Sequence, residues 1–237
     1  MSEELYIILA VFGGLNLIAA VFLLFHKIKK NKEIEEISHY GDYAENLVFN
    51  YLKKNFPEGV CLNNIYLKTN YGLTQIDHIL ICKYGLFAIE TKSHNGFIDI
   101  GQRQWTQKYN DKIVKFHNPV HQNEIHKKAL RNIIASDRSF RELNVNGFVV
   151  FTSKNVRFSS QVKEVIGLNQ LAAAVRSSKA YRTDVMHRYA RDKNDPMRGM
   201  MTRSSIQRLE RLIMKNSEKS KLKHKRHSTK IRNFRRY

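Results

Sequence analysis

Lys and Arg number 41 against 21 Asp and Glu in a chain of 237 residues, a formal charge of +20. That excess argues against cationic partners and for anionic ones, either nucleic acid or an acidic lipid surface. The length suits one core of ordinary size with appendages, and the two cysteines, Cys61 and Cys82, are too few for a disulfide framework or a Cys-built zinc site, so a reducing compartment is the default.

Residues 5–25 are 21 residues without a charge, long enough as a helix to cross a hydrocarbon core that needs about 20. A signal peptide calls for a basic start and a small-residue cleavage site, whereas this run follows Met1-Ser2-Glu3-Glu4 and leads into lysines, so it reads as a retained anchor. Lys27, Lys29, Lys30 and Lys32 favour the cytoplasmic side, giving a single-pass protein of the cell membrane with a cytoplasmic body. The competing reading is a buried hydrophobic helix, and Asn16 with Gly13-Gly14 weakens the membrane case.

Residues 1–30 thus form an anchor with its basic flank. A charged linker over 27–36 leads into a helix over 38–56, where Leu47, Val48, Tyr51 and Leu52 recur at helical spacing and Pro57-Glu58-Gly59 ends the element. Strands are expected over 59–69, 75–82 and 86–93, the first two separated by the turn Asn70-Tyr71-Gly72. Shorter strands over 96–100, 105–109 and 113–116 follow, the last pair joined by Asn110-Asp111. Asn118-Pro119 opens a helix to about residue 136, residues 145–152 form a strongly apolar strand, and 168–177 another helix. Strands interleaved with helices make residues 31–178 one α/β domain. Residues 179–237 change character. A helix over 204–214 aligns Ile206, Leu209, Leu212 and Ile213, and residues 215–237 hold ten Lys or Arg against one Glu, a tail expected to be disordered until bound.

The hairpin 75–93 is apolar on both faces, with Ile79, Ile81 and Ala88 on one and Ile76, Leu80, Phe87 and Ile89 on the other, the mark of central strands covered by helices. Asp77, Glu90 and Lys92 interrupt it. Glu90 and Lys92, two apart, share a face. A two-residue loop at Tyr84-Gly85 sets Asp77 opposite Lys92 and a four-residue loop sets it opposite Glu90. Either brings all three to one face, and a three-residue loop sends Asp77 to the other. Buried charges are expensive unless paired or bound to metal, and adjacent carboxylates call for a divalent cation. Mg²⁺ or Mn²⁺ held by Asp77, Glu90 and the Thr91 carbonyl polarises a phosphate and helps ionise a water that Lys92 positions. The competing reading is a structural salt-bridge cluster, which gains little net stability when buried.

Asp77, twelve intervening residues, then Glu90-Thr91-Lys92 resembles the D…(D/E)-x-K core of the PD-(D/E)xK nucleases. Gly41-Asp42-Tyr43-Ala44-Glu45, Thr74-Gln75-Ile76-Asp77-His78, Gly85, Trp105, and Asn118-Pro119 with Gln122 make residues 38–152 similar to the NERD (nuclease-related domain) family. That resemblance implies a restriction-endonuclease-like mixed central sheet flanked by helices, here behind an N-terminal transmembrane helix, and DNA processing. It carries over Asp77, Glu90 and Lys92 as the core site, Glu45 as the first-helix acid and Gln122 as the polar residue of the later helix; Glu45 also lies on the Val48, Phe49 and Leu52 side of its helix, which turns it toward the sheet and a second metal or its water shell. Ala44 departs from the pattern, which usually has Gly before the Glu.

Each residue also has a plainer use. Glu45 suits a helix dipole, Gln122 a local backbone bond, Asn118 an N-cap and Trp105 the core. His78 points off the site face, and His94, His117, His121 and His126 show no zinc spacing. The sum is a membrane-anchored nuclease using Mg²⁺ or Mn²⁺ on DNA, with RNA second, whose basic tail holds phosphates or anionic inner-leaflet lipid. Two rivals remain: a non-catalytic nucleic-acid-binding membrane tether on a nuclease-like scaffold, and an interaction module whose function lies in a partner.

Overall fold

The computed structural model describes residues 3–70, 72–110, 112–181 and 200–218, with the backbone alone for 3–20 and 32–38. The basic tail beyond residue 218 lies outside the described residues. Two compact units are present, one spanning Met1–Tyr43 and the other beginning at Ala44.

Helix α1, Glu3–Asn55, has a continuous backbone through the stretch expected to be a linker. Residues 27–36 contain neither Gly nor Pro, and their Lys and Glu residues are good helix formers, so nothing there interrupts the hydrogen-bond ladder. Among the described residues no helix is long and apolar enough to cross a membrane. Most of the span expected over 5–25 has side chains outside the described residues.

The second unit is mixed α/β, with two mixed sheets flanked by helices. Strands β1 (Val60–Thr69), β2 (Gly72–Cys82) and β3 (Gly85–Lys92) form an antiparallel meander. Strands β4 (Gly96–Asp99), β5 (Gln104–Tyr109) and β6 (Lys112–His117) follow, and helix α2 (Pro119–Ile134) returns the chain to β7 (Val145–Phe151), which pairs with β3 in parallel. Then come β8 (Val156–Phe158), β9 (Val165–Gly167), a 3₁₀ turn, helix α3 (Leu171–Ser177), helix α4 (Arg203–Asn216) and β10 (Ser217–Glu218). The larger sheet has the order β10-β1-β2-β3-β7-β9 and the smaller β6-β5-β4-β8. β8 and β9 have three residues each within a polar stretch, too short for an alternation pattern to reveal.

Both faces of β2 and β3 are covered, as their two-sided apolar composition requires. On one side Leu80, Phe87 and Ile89 meet Val48, Leu52 and Phe56 of α1 and Leu171 and Val175 of α3. On the other, Ile79, Ile81, Leu86 and Ala88 meet Ala129, Leu130 and Ile134 of α2 and Ile206, Leu209 and Ile213 of α4. The helix expected over 204–214 is therefore part of this core, started by Thr202, whose side chain accepts the Ser205 N–H.

The hairpin joining β2 to β3 pairs Cys82 with Gly85 and turns on Lys83-Tyr84, one residue earlier than the Tyr84-Gly85 turn. Gly85 has φ 133°, where L side chains are strained. Continued outward, this register sets Asp77 across from Glu90. One placement differs from the sequence reading: Ile76 packs in the cluster of Ile79 and Ile81 rather than with Leu80 and Ile89. The β1–β2 ladder skips the Asn64–Asp77 pair, and Asn64 sits at φ 53°. That left-handed residue, a conformation Asn tolerates, shifts the alternation of both strands by one, so that Leu62, Ile65, Ile76 and Ile79 share a core cluster.

Replacing fully buried Leu209 tests whether α4 belongs to the fold. Leu209→Ala is expected to lower unfolding free energy by about 2–5 kcal/mol in urea denaturation, and a loss below about 0.5 kcal/mol, the size of a surface substitution, would contradict it.

Candidate active site

The backbone ladder between β2 and β3 runs from Cys82↔Gly85 to His78↔Ile89 and stops. At the next step the Thr91 N–H donates to Asp77 Oδ2 at 2.8 Å, so a side-chain carboxylate takes the place of a backbone carbonyl. This lateral bond, made possible where the alternation shifts, fixes Asp77 next to Glu90. Glu90 is 2% exposed, and Lys92 Nζ donates to its Oε1 at 2.6 Å.

Burial, then the neighbouring Glu90 and Glu45 carboxylates, hold the Asp77 carboxyl well above its usual range, while Lys92 and the Thr91 N–H pull it down. Burial also works against the charge on Lys92, but Glu90, Asp77 and Glu45 outweigh it and raise the amine, so it is an ammonium group at neutral pH. Half-buried Glu45 thus shares an electrostatic field with the β2–β3 charges. Its neighbour Ala44 is 2% exposed, a position where a small residue fits.

His78 faces away from the carboxylates, as its place in the strand predicts, and is only 1% exposed. Its Nδ1 lies 2.8 Å from Asn63 Oδ1 and its Nε2 3.1 Å from Thr91 Oγ1. Burial pushes its pKa down to about 4, so a neutral ring bridges two strands and steadies Thr91, the residue whose N–H holds Asp77.

Helix α2 starts at Asn118, whose Oδ1 accepts the Val120 and His121 N–H groups. Gln122 is half-buried in its first turn, and among the described residues its side chain makes no hydrogen bond to the carboxylates. Asn123, which the sequence does not single out, and His126, which shows no zinc spacing in the sequence, are 3% and 1% exposed. Asn123 Nδ2 donates to the Ala88 carbonyl at 3.2 Å, and His126 Nδ1 lies 3.6 Å from Glu90 Oε2. Their signal is positional: Asn123 and His126 begin the helical stripe that Ala129, Leu130 and Ile134 continue into the core. His94 follows β3 but packs on Phe116, ring centroids 4.1 Å apart. Trp105, 1% exposed, is core with Ile98, Val149 and Phe151.

A family model described as a nuclease-related domain (NERD) matches residues 40–152. Residues 40–152 belong to the NERD family. That family falls within the PD-(D/E)xK-like nuclease superfamily. An uncharacterized protein of Bacillus anthracis is 35% identical over 142 residues, covering 58% of this chain and 66% of that protein's length. No solved structure matches the chain. The NERD stretch contains Glu45, Asp77, Glu90, Lys92 and Gln122, together with Asn123 and His126.

Among the described residues no group of three His, Cys, Asp or Glu side chains is gathered to hold a metal ion. The oxygen donors available in the NERD site are the Asp77 and Glu90 carboxylates, one of which, Glu90 Oε2, is buried without a hydrogen-bond partner. Such a pair suits an ion that takes one or two carboxylates and fills its remaining positions with water and phosphate oxygens.

Asp77→Asn keeps an acceptor for the Thr91 N–H and removes one charge from the cluster. The wild-type carboxyl, raised above its unfolded value near 3.9, contributes stability that is lost as pH rises toward its folded value. Thermal melts should therefore show the variant a few degrees more stable at pH 7 and similar at pH 4. An equal or lower Tm at pH 7 would show that the charge is not crowded.

Proposed function

We propose that this NERD protein is a membrane-anchored, cytoplasm-facing nuclease that hydrolyses phosphodiester bonds in DNA with Mg²⁺ or Mn²⁺, on a restriction-endonuclease-like scaffold. The observation that carries the reading is the pairing of two carboxylates, Asp77 and Glu90, with Lys92 in the buried centre of the sheet, within a nuclease-related sequence. A structural salt bridge needs one acid and one base, and the second acid gives the cluster an excess of acid over base that a bound divalent cation would offset.

Asp77 and Glu90 would hold the ion, with the Thr91 carbonyl and Glu45 completing its surroundings. Bound there, it supplies Lewis acidity and eases ionisation of a water molecule. The Lys92 ammonium, kept charged by its acidic neighbours, orients the attacking water and offsets negative charge that develops on the phosphate. Gln122, in the first turn of α2, supports substrate or water at the rim.

The anchor reading is supported by the uncharged residues 5–25 and by Val21, Phe22, Leu23, Leu24 and Phe25, which are 44–70% exposed. Five consecutive apolar residues point to every side of a helix and need an apolar solvent. Lysines just beyond them favour a cytoplasmic body and contact with anionic lipid. The tail over 219–237 has nine Lys or Arg and no acid, suited to phosphate contacts on DNA or RNA.

Incubating the detergent-purified full chain with labelled DNA and RNA and either ion tests the reading. DNA cleavage should stop with chelator and fall at least about 100-fold in Glu90→Ala and Lys92→Ala. Cleavage that survives both substitutions would reject the site, and binding without cleavage would favour the tether. Removing residues 219–237 should weaken DNA binding and flatten its dependence on log salt, each lost phosphate contact reducing the slope by about 0.9. An unchanged slope would show that the tail does not touch the substrate.

A further inference from the structure

Among the described residues, Glu90 Oε2, His126 Nδ1 and Asn123 Oδ1 are all buried and lack hydrogen-bond partners. Their residues are 2%, 1% and 3% exposed, and they lie on facing elements, β3 and α2. An unpaired buried polar atom is costly because it has given up its water, and two of these three, Glu90 Oε2 and His126 Nδ1, face each other across the contact of α2 with β3. Two of the three are acceptors by chemistry. Glu90 is a carboxylate, and the Asn123 amide is oriented by its Nδ2 donating to the Ala88 carbonyl, which turns Oδ1 away as an acceptor. Neither can satisfy the other. Burial also lowers the His126 pKa, which leaves the imidazole neutral and one ring nitrogen with a free lone pair.

The separation of Nδ1 and Oε2 is informative. At 3.6 Å the two atoms are too far apart for a hydrogen bond. Two donors each about 2.1 Å from one ion and 3.6 Å apart subtend roughly 118° at it, near the tetrahedral angle. An imidazole nitrogen beside a carboxylate oxygen is a donor pair for a first-row transition dication, since imidazole is a poorer partner for hard Mg²⁺. The absence of a three-member His, Cys, Asp and Glu cluster among the described residues is compatible with this set, because its third member is an amide.

We propose that His126 Nδ1 and Glu90 Oε2, with Asn123 Oδ1 from the preceding helical turn, form a nitrogen-containing cation site on the α2 side of Glu90 that favours Mn²⁺ or another transition dication over Mg²⁺. The inference rests on the metal-dependent reading of the carboxylates, since Glu90 is common to both, and adds a ligand that the D…(D/E)-x-K core does not include. His126 acts directly as a ligand in this arrangement, and Asp77 with the other oxygens of the cluster stays available to a harder ion.

Mn²⁺ is the probe. Titration of the full chain followed by electron paramagnetic resonance, with Mg²⁺ as competitor, gives both affinities, and pulsed measurements report any ¹⁴N nucleus coupled to the bound ion. The wild type should bind Mn²⁺ at least about tenfold more tightly than Mg²⁺ and show imidazole nitrogen coupling. His126→Leu, close in volume and apolar, should lose the coupling and about tenfold in Mn²⁺ affinity, with Mg²⁺ affinity held within about twofold. His126→Gln serves as a second variant in case the first fails to fold. Mn²⁺ bound without nitrogen coupling, or with unchanged affinity in the variants, would overturn the His126 assignment while leaving the carboxylate site intact. Binding of neither ion to the wild type would overturn both.

Discussion

Two carboxylates and one ammonium group held together where water is excluded set the terms for everything around them. Asp77 and Glu90 repel each other, and burial strengthens that repulsion. The protein counters it in layers. The Thr91 N–H donates to Asp77, Lys92 donates to Glu90, and His78, braced against Asn63, steadies Thr91 from the far face. Each partner holds a charge in position without neutralising the excess acid, since Glu45 adds a third carboxylate to the field. A local anionic centre results within a chain of net charge +20. Long-range attraction draws phosphates toward such a protein, yet bare carboxylates would repel them at close range. A divalent cation held there would resolve the conflict, because its charge would dominate the local field and reverse its sign for an incoming phosphate.

The fold supplies this centre by ordinary means. β2 and β3 lie in the middle of the larger sheet, β7 runs parallel beside β3, and helices cover both faces, so side chains at the end of the hairpin meet a packed rather than a solvated environment. The irregularity within the β1–β2 pair is the left-handed Asn64. It shifts the alternation of the β1–β2 pair, and it lies opposite Asp77, the residue whose carboxylate leaves the strand faces to take a ladder hydrogen bond.

The hairpin charges were legible because period-two alternation is strict enough to place Glu90 and Lys92 on one face, and because acids inside apolar strands have few explanations. Other features were hidden for physical reasons. The position of Ile76 depends on the backbone angle of a residue on the neighbouring strand, which no local pattern encodes. The helix continuing through residues 27–36 follows from the absence of breakers, but charge density there imitates a linker. α4 carries a clear apolar stripe, but its basic surroundings have the composition of an appendage even though Ile206, Leu209 and Ile213 pack into the core. His126 and Asn123 look like surface residues of a polar helix start, although they extend the buried stripe of Ala129, Leu130 and Ile134 toward β3.

The central claim is that the Asp77–Glu90 pair exists to hold a cation. Crystals of the chain grown with Mn²⁺ and measured for anomalous scattering address it directly. A peak bonded to both carboxylates is the expected result. Ions bound elsewhere, with Lys92 still closed on Glu90 and no peak at either acid, would contradict it.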